Sequence, residues 1–134
     1  MMTNSQARKS INDKIKQIGF IQQNRIQWAN QPNFKIPETG LWIRVTIQYA
    51  GSFPSGLYRG LLERDVGVIN FQCFARKGSG DFDLIKLTDD IRDHFKGFRD
   101  RDLEVTMTNA PTEAIDDVQG DFVMSLVRID FRVN

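Results

Sequence analysis

Few side chains in this 134-residue chain could do chemistry, and their surroundings decide what each is worth. His94 is the single histidine, so a metal site built on a histidine pair is excluded, and a Ser-His-Asp arrangement would have to use this one residue. It falls beside the apolar stripe of a helical segment, among Asp90, Asp93 and Lys96, where a boundary histidine is the simpler reading. Cys73 is the single cysteine and sits on the apolar side of an alternating segment. A lone thiol there behaves as a small hydrophobe, and it offers neither a disulfide nor a zinc set within the chain. Asp89 and Asp90 are neighbours on a helix and point in different directions, which makes them poor joint ligands. Asp116 and Asp117 fall in a polar turn; they could help hold a divalent ion at a subunit boundary, or be solvated charge. Lys77-Gly78-Ser79-Gly80 precedes a helix and could present amides to an anion. It lacks both the Lys-Ser/Thr of a P-loop and the spacing of a dinucleotide fold. Trp28, Lys35, Trp42 and Arg44 come nearest to a basic-aromatic surface, but their spacing is not diagnostic of nucleic-acid binding. No catalytic, metal-binding or cofactor-binding residue is therefore assigned, and no cofactor or specific nucleic-acid partner is expected.

The elements that must position these residues are organised around 65–98. Ile69, Phe71, Cys73 and Ala75 alternate with Asn70, Gln72 and Arg76, the period of a strand with one buried face. The strand ends in the glycine turn, and the period then lengthens: Leu84, Leu87, Thr88, Ile91, Phe95 and Phe98 share one side of a helix. Ser79 or Asp81 could cap it, and Gly97 is placed to stop it. Upstream, Ile11, Ile15 and Ile18 predict an amphipathic helix over about 4–18, closed by Gly19. Residues 25–28 could form a short strand, whereas 29–40, with two prolines and a glycine, read as an extended connector. In 42–49, Ile43, Val45, Ile47 and Tyr49 share one face, with Arg44, Thr46 and Gln48 on the other. Leu103, Val105 and Met107 predict a short strand, 112–120 a polar turn or one helical turn, and 122–133 a last strand with Val127, Ile129, Phe131 and Val133 inward.

This order predicts one α+β domain over 1–134: a mostly antiparallel sheet with helices packed on one face, a two-layer sandwich. Apolar residues at 40% and charged residues at 26% fit a globular core, and a net charge of +1 provides no global field toward nucleic acid or membrane. No apolar run approaches a membrane span and the N-terminus is polar, so no membrane partner is expected and the protein should remain in the compartment where it is made.

Two features suit partners better than substrates. Residues 50–64 read as a loop, with three glycines and one proline, that carries Phe53, Leu57, Tyr58, Leu61 and Leu62; these either fold back on their own domain or meet a neighbour. The second is the polar sheet face, with Arg44, Thr46, Gln48, Asn70, Gln72, Arg128, Asp130 and Arg132, which is either plain solvated surface or the lining of a channel or wet interface.

The order of features also resembles the phage tail terminator family, relatives of the tail-capping protein of lambda-like and other long-tailed phages. The likeness is carried by Trp28, Asn30, Pro32 and Phe34, then Trp42 and Arg44, then Gly67, Phe74, Gly78 and Gly80, spanning about 26–98, with departures at Asn33 and Leu41. The resemblance implies a virion protein at the head-proximal end of the tail, assembled in the host cytoplasm. Six copies would form a homohexameric ring that stops growth of the tail tube and offers a surface to the head-completion or connector protein. On this reading Phe53, Leu57, Tyr58 and Arg59 touch an adjacent subunit or the tail tube protein, and Arg44, Gln72, Arg128 and Arg132 line the lumen or a subunit boundary. Another head-tail connector or tube component, or a small dimeric α+β binding module, are the alternatives.

Overall fold

A computed structural model describes residues 2–29, 31, 33–54, 63–78, 82–109, 115–116 and 121–134; for 50–54, 63–65 and 115–116 it describes the backbone alone. Helix α1 spans Asn4–Lys16, strand β1 Ile26–Gln27, β2 Trp42–Pro54, β3 Glu63–Arg76, helix α2 Phe82–Phe95, β4 Arg99–Asp100, β5 Leu103–Asn109, β6 Ile115–Asp116 and β7 Phe122–Val133. The strands form one sheet in the order β1-β2-β3-β7-β5-β4, with β6 pairing β7 off that path. Every pairing is antiparallel except β1 with β2, which a long connector allows to run parallel.

The core lies between one face of this sheet and the two helices. Ile43 and Val45 from β2, Ile69, Phe71 and Cys73 from β3, and Val127, Ile129 and Phe131 from β7 are buried against Ala7, Ile11 and Ile15 of α1 and Leu84, Leu87, Ile91 and Phe95 of α2. These are the positions that period-two and helical spacing place inward. Phe71 and Phe95 meet with ring centres 5.4 Å apart, joining α2 to the middle of the sheet. Full burial of such a ring contributes roughly 1.5–3 kcal/mol. Helix α1 starts with a capping box: Thr3 Oγ1 accepts from the Gln6 amide at 3.2 Å, and Gln6 Oε1 accepts from the Thr3 amide at 2.9 Å. Helix α2 ends just before Gly97 with φ +74°, whereas α1 ends at Lys16 with Gln17 as its cap, before it reaches Gly19.

Four sequence expectations change. The stretch 50–64 is not all loop: β2 runs on to Pro54 and β3 begins at Glu63, with Phe53 opposite Arg64 and Pro54 opposite Glu63. A paired ladder gives the backbone groups of this segment partners that a loop would leave to water, which outweighs the glycines. Residues 55–62, with Leu57, Tyr58 and Arg59, lie outside the described residues, as do Ser79 and Asp81. In 112–120 the described part, Ile115–Asp116, pairs with β7 as a strand rather than a helical turn, because β7 leaves that edge open beyond the reach of β5. Asp117 lies outside the described residues. Met107 leaves the face of Leu103 and Val105: an extra residue, Thr106, enters β5 between Val105 opposite Phe131 and Met107 opposite Asp130. Such a bulge turns everything after it over, and Met107 is 55% exposed on the polar side. Lastly, Trp42 faces away from the helices and is buried nonetheless.

Gly67 has a structural use beyond its place in the motif. It stands opposite Tyr49 on one side and Phe131 on the other, and the two rings meet edge to face at 5.7 Å across it. A methyl group at Gly67 would fall 2.5 Å from Phe131 Cζ and 2.6 Å from the Gln48 carbonyl oxygen.

Candidate functional site: the sheet face away from the helices

The pairing register arranges the outward side chains in rows across β2, β3 and β7. Trp42, Phe74 and Met124 form one row, Arg44, Gln72 and Leu126 the next, then Thr46, Asn70 and Arg128, then Gln48, Val68 and Asp130. The four polar residues singled out from sequence, Arg44, Gln72, Arg128 and Arg132, do share this face. They are not one cluster. Arg132 and Glu104 form an ion pair beside Arg99, whose Nη1 is 3.9 Å from Glu104. Arg128 Nε donates to Asp130 Oδ1 at 2.9 Å. Both pairs sit at a wet surface, where an ion pair contributes about 0–1 kcal/mol, so they order the face more than they hold the fold. Gln72 reaches Met124 Sδ at 3.5 Å. Arg44 stands apart: its Nε donates to Gln27 Oε1 at 3.1 Å and its guanidinium lies over Trp42 and Phe74, 5.6 and 5.3 Å from the ring centres.

That corner is a second apolar cluster which sequence periodicity did not reveal. Trp42 stacks on Phe74 with centroids 4.1 Å apart and meets Phe34 and Phe122, each at 5.7 Å. Arg76 caps it, with its guanidinium 4.4 Å from the Phe122 ring centre and Nη2 donating to the Pro37 carbonyl at 3.0 Å. The signal lay in the even-numbered aromatics Trp42, Phe74 and Phe122, which interrupt an otherwise polar alternation. A cleft of about 410 Å³ opens beside them, lined by Ile36, Trp42, Phe74, Phe122 and Met124 together with the polar Arg44, Gln72 and Asp121. Trp42 is 2% exposed, so its ring cannot stack on a base, and the set Trp28, Lys35, Trp42 and Arg44 does not form a common surface for nucleic acid.

The reactive candidates are held apart. Cys73 is fully buried and burial pushes its thiol far above the usual range. His94 lies at the seam of the two helices, its Nε2 2.7 Å from the Lys14 carbonyl, and packs edge-on against Phe20. A carbonyl only accepts, so Nε2 carries a proton. Burial lowers its affinity for a second proton, with the Lys14 bond opposing and the Lys14 charge adding to that shift. Among the described residues no three His, Cys, Asp or Glu side chains gather as metal ligands, and Asp116 belongs to β6.

At the other end of the sheet, β7 stops with Val133 opposite Asp65, yet β2 and β3 continue as a two-stranded arm through Phe53, Pro54, Glu63 and Arg64. The arm has no third strand among the described residues.

No protein-family model and no curated protein matches the sequence. Among solved structures, one chain 15% identical to this one superposes with a TM-score of 0.71, covering 100% of this chain and 97% of that one. At that identity the likeness establishes the fold alone.

Proposed function

We propose that this chain is a structural subunit of a phage tail terminator: a homohexameric ring on the head-proximal end of the tail tube that ends tube growth and receives the head-completion protein. The observation that carries this reading is the β2–β3 arm running past the end of the sheet, on the segment where the family resemblance expects contact with a neighbour. A two-stranded ribbon exposes main-chain groups and side chains on both sides and is marginal by itself, so it gains most when a second surface covers it. An uncovered polar sheet face, with paired charges at Arg128–Asp130 and Arg132–Glu104, suits a water-filled lumen or a wet subunit boundary. The protein acts in this reading by shape, with no reaction, cofactor or metal.

Changing Phe53 and Tyr58 together to Ser is expected to block capping, giving tails of uncontrolled length by negative-stain microscopy from a chain that circular dichroism finds folded. Tails of normal length would refute the assignment of the arm.

A dimeric binding module joined through a sheet edge is the second reading, favoured by β2 beyond Arg44, which β1 leaves unpaired among the described residues. Light scattering separates the two: a strict dimer that tube ends do not convert into rings supports the module.

A further inference from the structure

Two features at one end of the molecule remain without a task. The first is the cleft beside Trp42. Its wall carries Arg44, whose guanidinium has aromatic rings and the Gln27 amide for company but no acid among the described residues. Beneath it the Trp42 indole N–H is buried without an acceptor among the described residues. The rest of the lining mixes apolar and aromatic side chains, Ile36 (itself 43% exposed), Phe74, Phe122 and Met124, with the polar Gln72 and the exposed Asp121. A cation that lies over rings, has no acid bonded to it among the described residues and has Ile36 and Met124 in the same cleft favours a carboxylate that arrives beside an apolar side chain.

The second is the start of α2. Phe82 is 77% exposed, the most open of the large apolar residues described, and Asp83 next to it is exposed with neither an ion pair nor a side-chain hydrogen bond among the described residues. An isolated exposed leucine would need no explanation, but a phenylalanine this open beside a free acid matches the cleft in both respects.

We infer that Phe82 and Asp83 of one copy enter the Trp42–Arg44 cleft of the next, with the ring of Phe82 against Ile36 and Met124 and the carboxylate of Asp83 on Arg44. The inference rests on the ring reading above and names the contact that would join its subunits. Knob and cleft cannot meet within one chain, because α2 packs on one face of the sheet and the cleft opens on the other. They lie at the same end of the strands: Trp42 pairs with Phe74, and β3 leaves the sheet through Lys77 and Gly78 toward α2. Copies set helix layer to sheet face therefore make this contact at one level, without a step along the strands. A head-to-tail contact of that kind closes into a ring when the rotation between copies divides a full turn, as the ring reading requires.

Charge reversal tests it. In light scattering of the concentrated full chain and in microscopy with tube ends, Asp83→Lys and Arg44→Glu are each expected to weaken association by about tenfold or more, and the double variant to regain most of it. Phe82→Ser, on an exposed position that costs the fold little, is expected to weaken it as well. Circular dichroism checks that Arg44→Glu folds; if it does not, Asp83→Lys and Phe82→Ser decide the matter alone. Rings that form equally well from Asp83→Lys and Phe82→Ser overturn the contact and leave the ring reading standing. A wild-type chain that never associates, alone or at tube ends, overturns both.

Discussion

Replacing Gly67 with alanine puts the packing of the sheet to a sharp test. Nothing about the backbone there forbids a side chain; the objection is space. The added carbon would approach Phe131 Cζ to 2.5 Å and the Gln48 carbonyl oxygen to 2.6 Å, about an ångström inside ordinary contact with each. The carbonyl belongs to β2, directly paired with β3, and the Phe131 ring is held by Tyr49, so neither neighbour yields without disturbing another contact. Overpacking of this kind costs about 1–3 kcal/mol, and two rigid neighbours place this case toward the upper end. Alanine returns about 0.4–1 kcal/mol by restricting the unfolded chain. A net loss of about 2 kcal/mol follows, which for a chain of this length lowers the thermal midpoint by about 7 °C. Unfolding followed by circular dichroism measures it, and adding Phe131→Leu should recover part of the loss by removing one of the two clashes. A midpoint unchanged or raised in Gly67→Ala would refute the account of this glycine as a gap through which two rings meet.

Two further outcomes follow from the reactive residues. His94 has its affinity for a second proton lowered in the fold, so the unfolded chain takes up that proton first. The stability this residue contributes is complete above its ordinary value of 6.5, falls as the pH drops through that value, and levels off below the folded one. Thermal midpoints taken from about pH 7 to about pH 5 should show the decline, and His94→Gln, which keeps a donor for Lys14, should flatten it. Cys73 should resist thiol reagents until the protein unfolds, and Cys73→Ser should cost about 1–3 kcal/mol by burying a hydroxyl in an apolar setting. Labelling at native rates equal to those in denaturant would contradict its burial.

Much of the fold was legible because its signals were local. The alternation of Ile69, Phe71 and Cys73 and the helical spacing of Leu84, Leu87, Ile91 and Phe95 each name a face, and one core satisfies all of them. Helix α1 carried its own start signal in Thr3 and Gln6. The misses share a cause: they depend on partners distant in sequence. Thr106 is an ordinary strand residue until the register against β7 makes it the extra one. The glycines of 50–64 read as loop until β3 supplies a partner strand for Gly51–Pro54. Trp42 gave no sign that a connector residue, Phe34, would cover it from the side away from the helices. The outward polar residues were readable as a set, but that Arg128 and Arg132 have acids while Arg44 has rings is decided by neighbouring strands.

The two extra residues on the border strands, Ala50 in β2 and Thr106 in β5, have a consequence for handling and for assembly alike. Each bends a margin that has no partner strand at that point among the described residues, so a chain drifting alongside finds only a few consecutive backbone groups in line before the match is lost. Crowded stocks should therefore stay clear of fibrous deposits, leaving the choice of companion to side chains rather than to whatever extended peptide happens by.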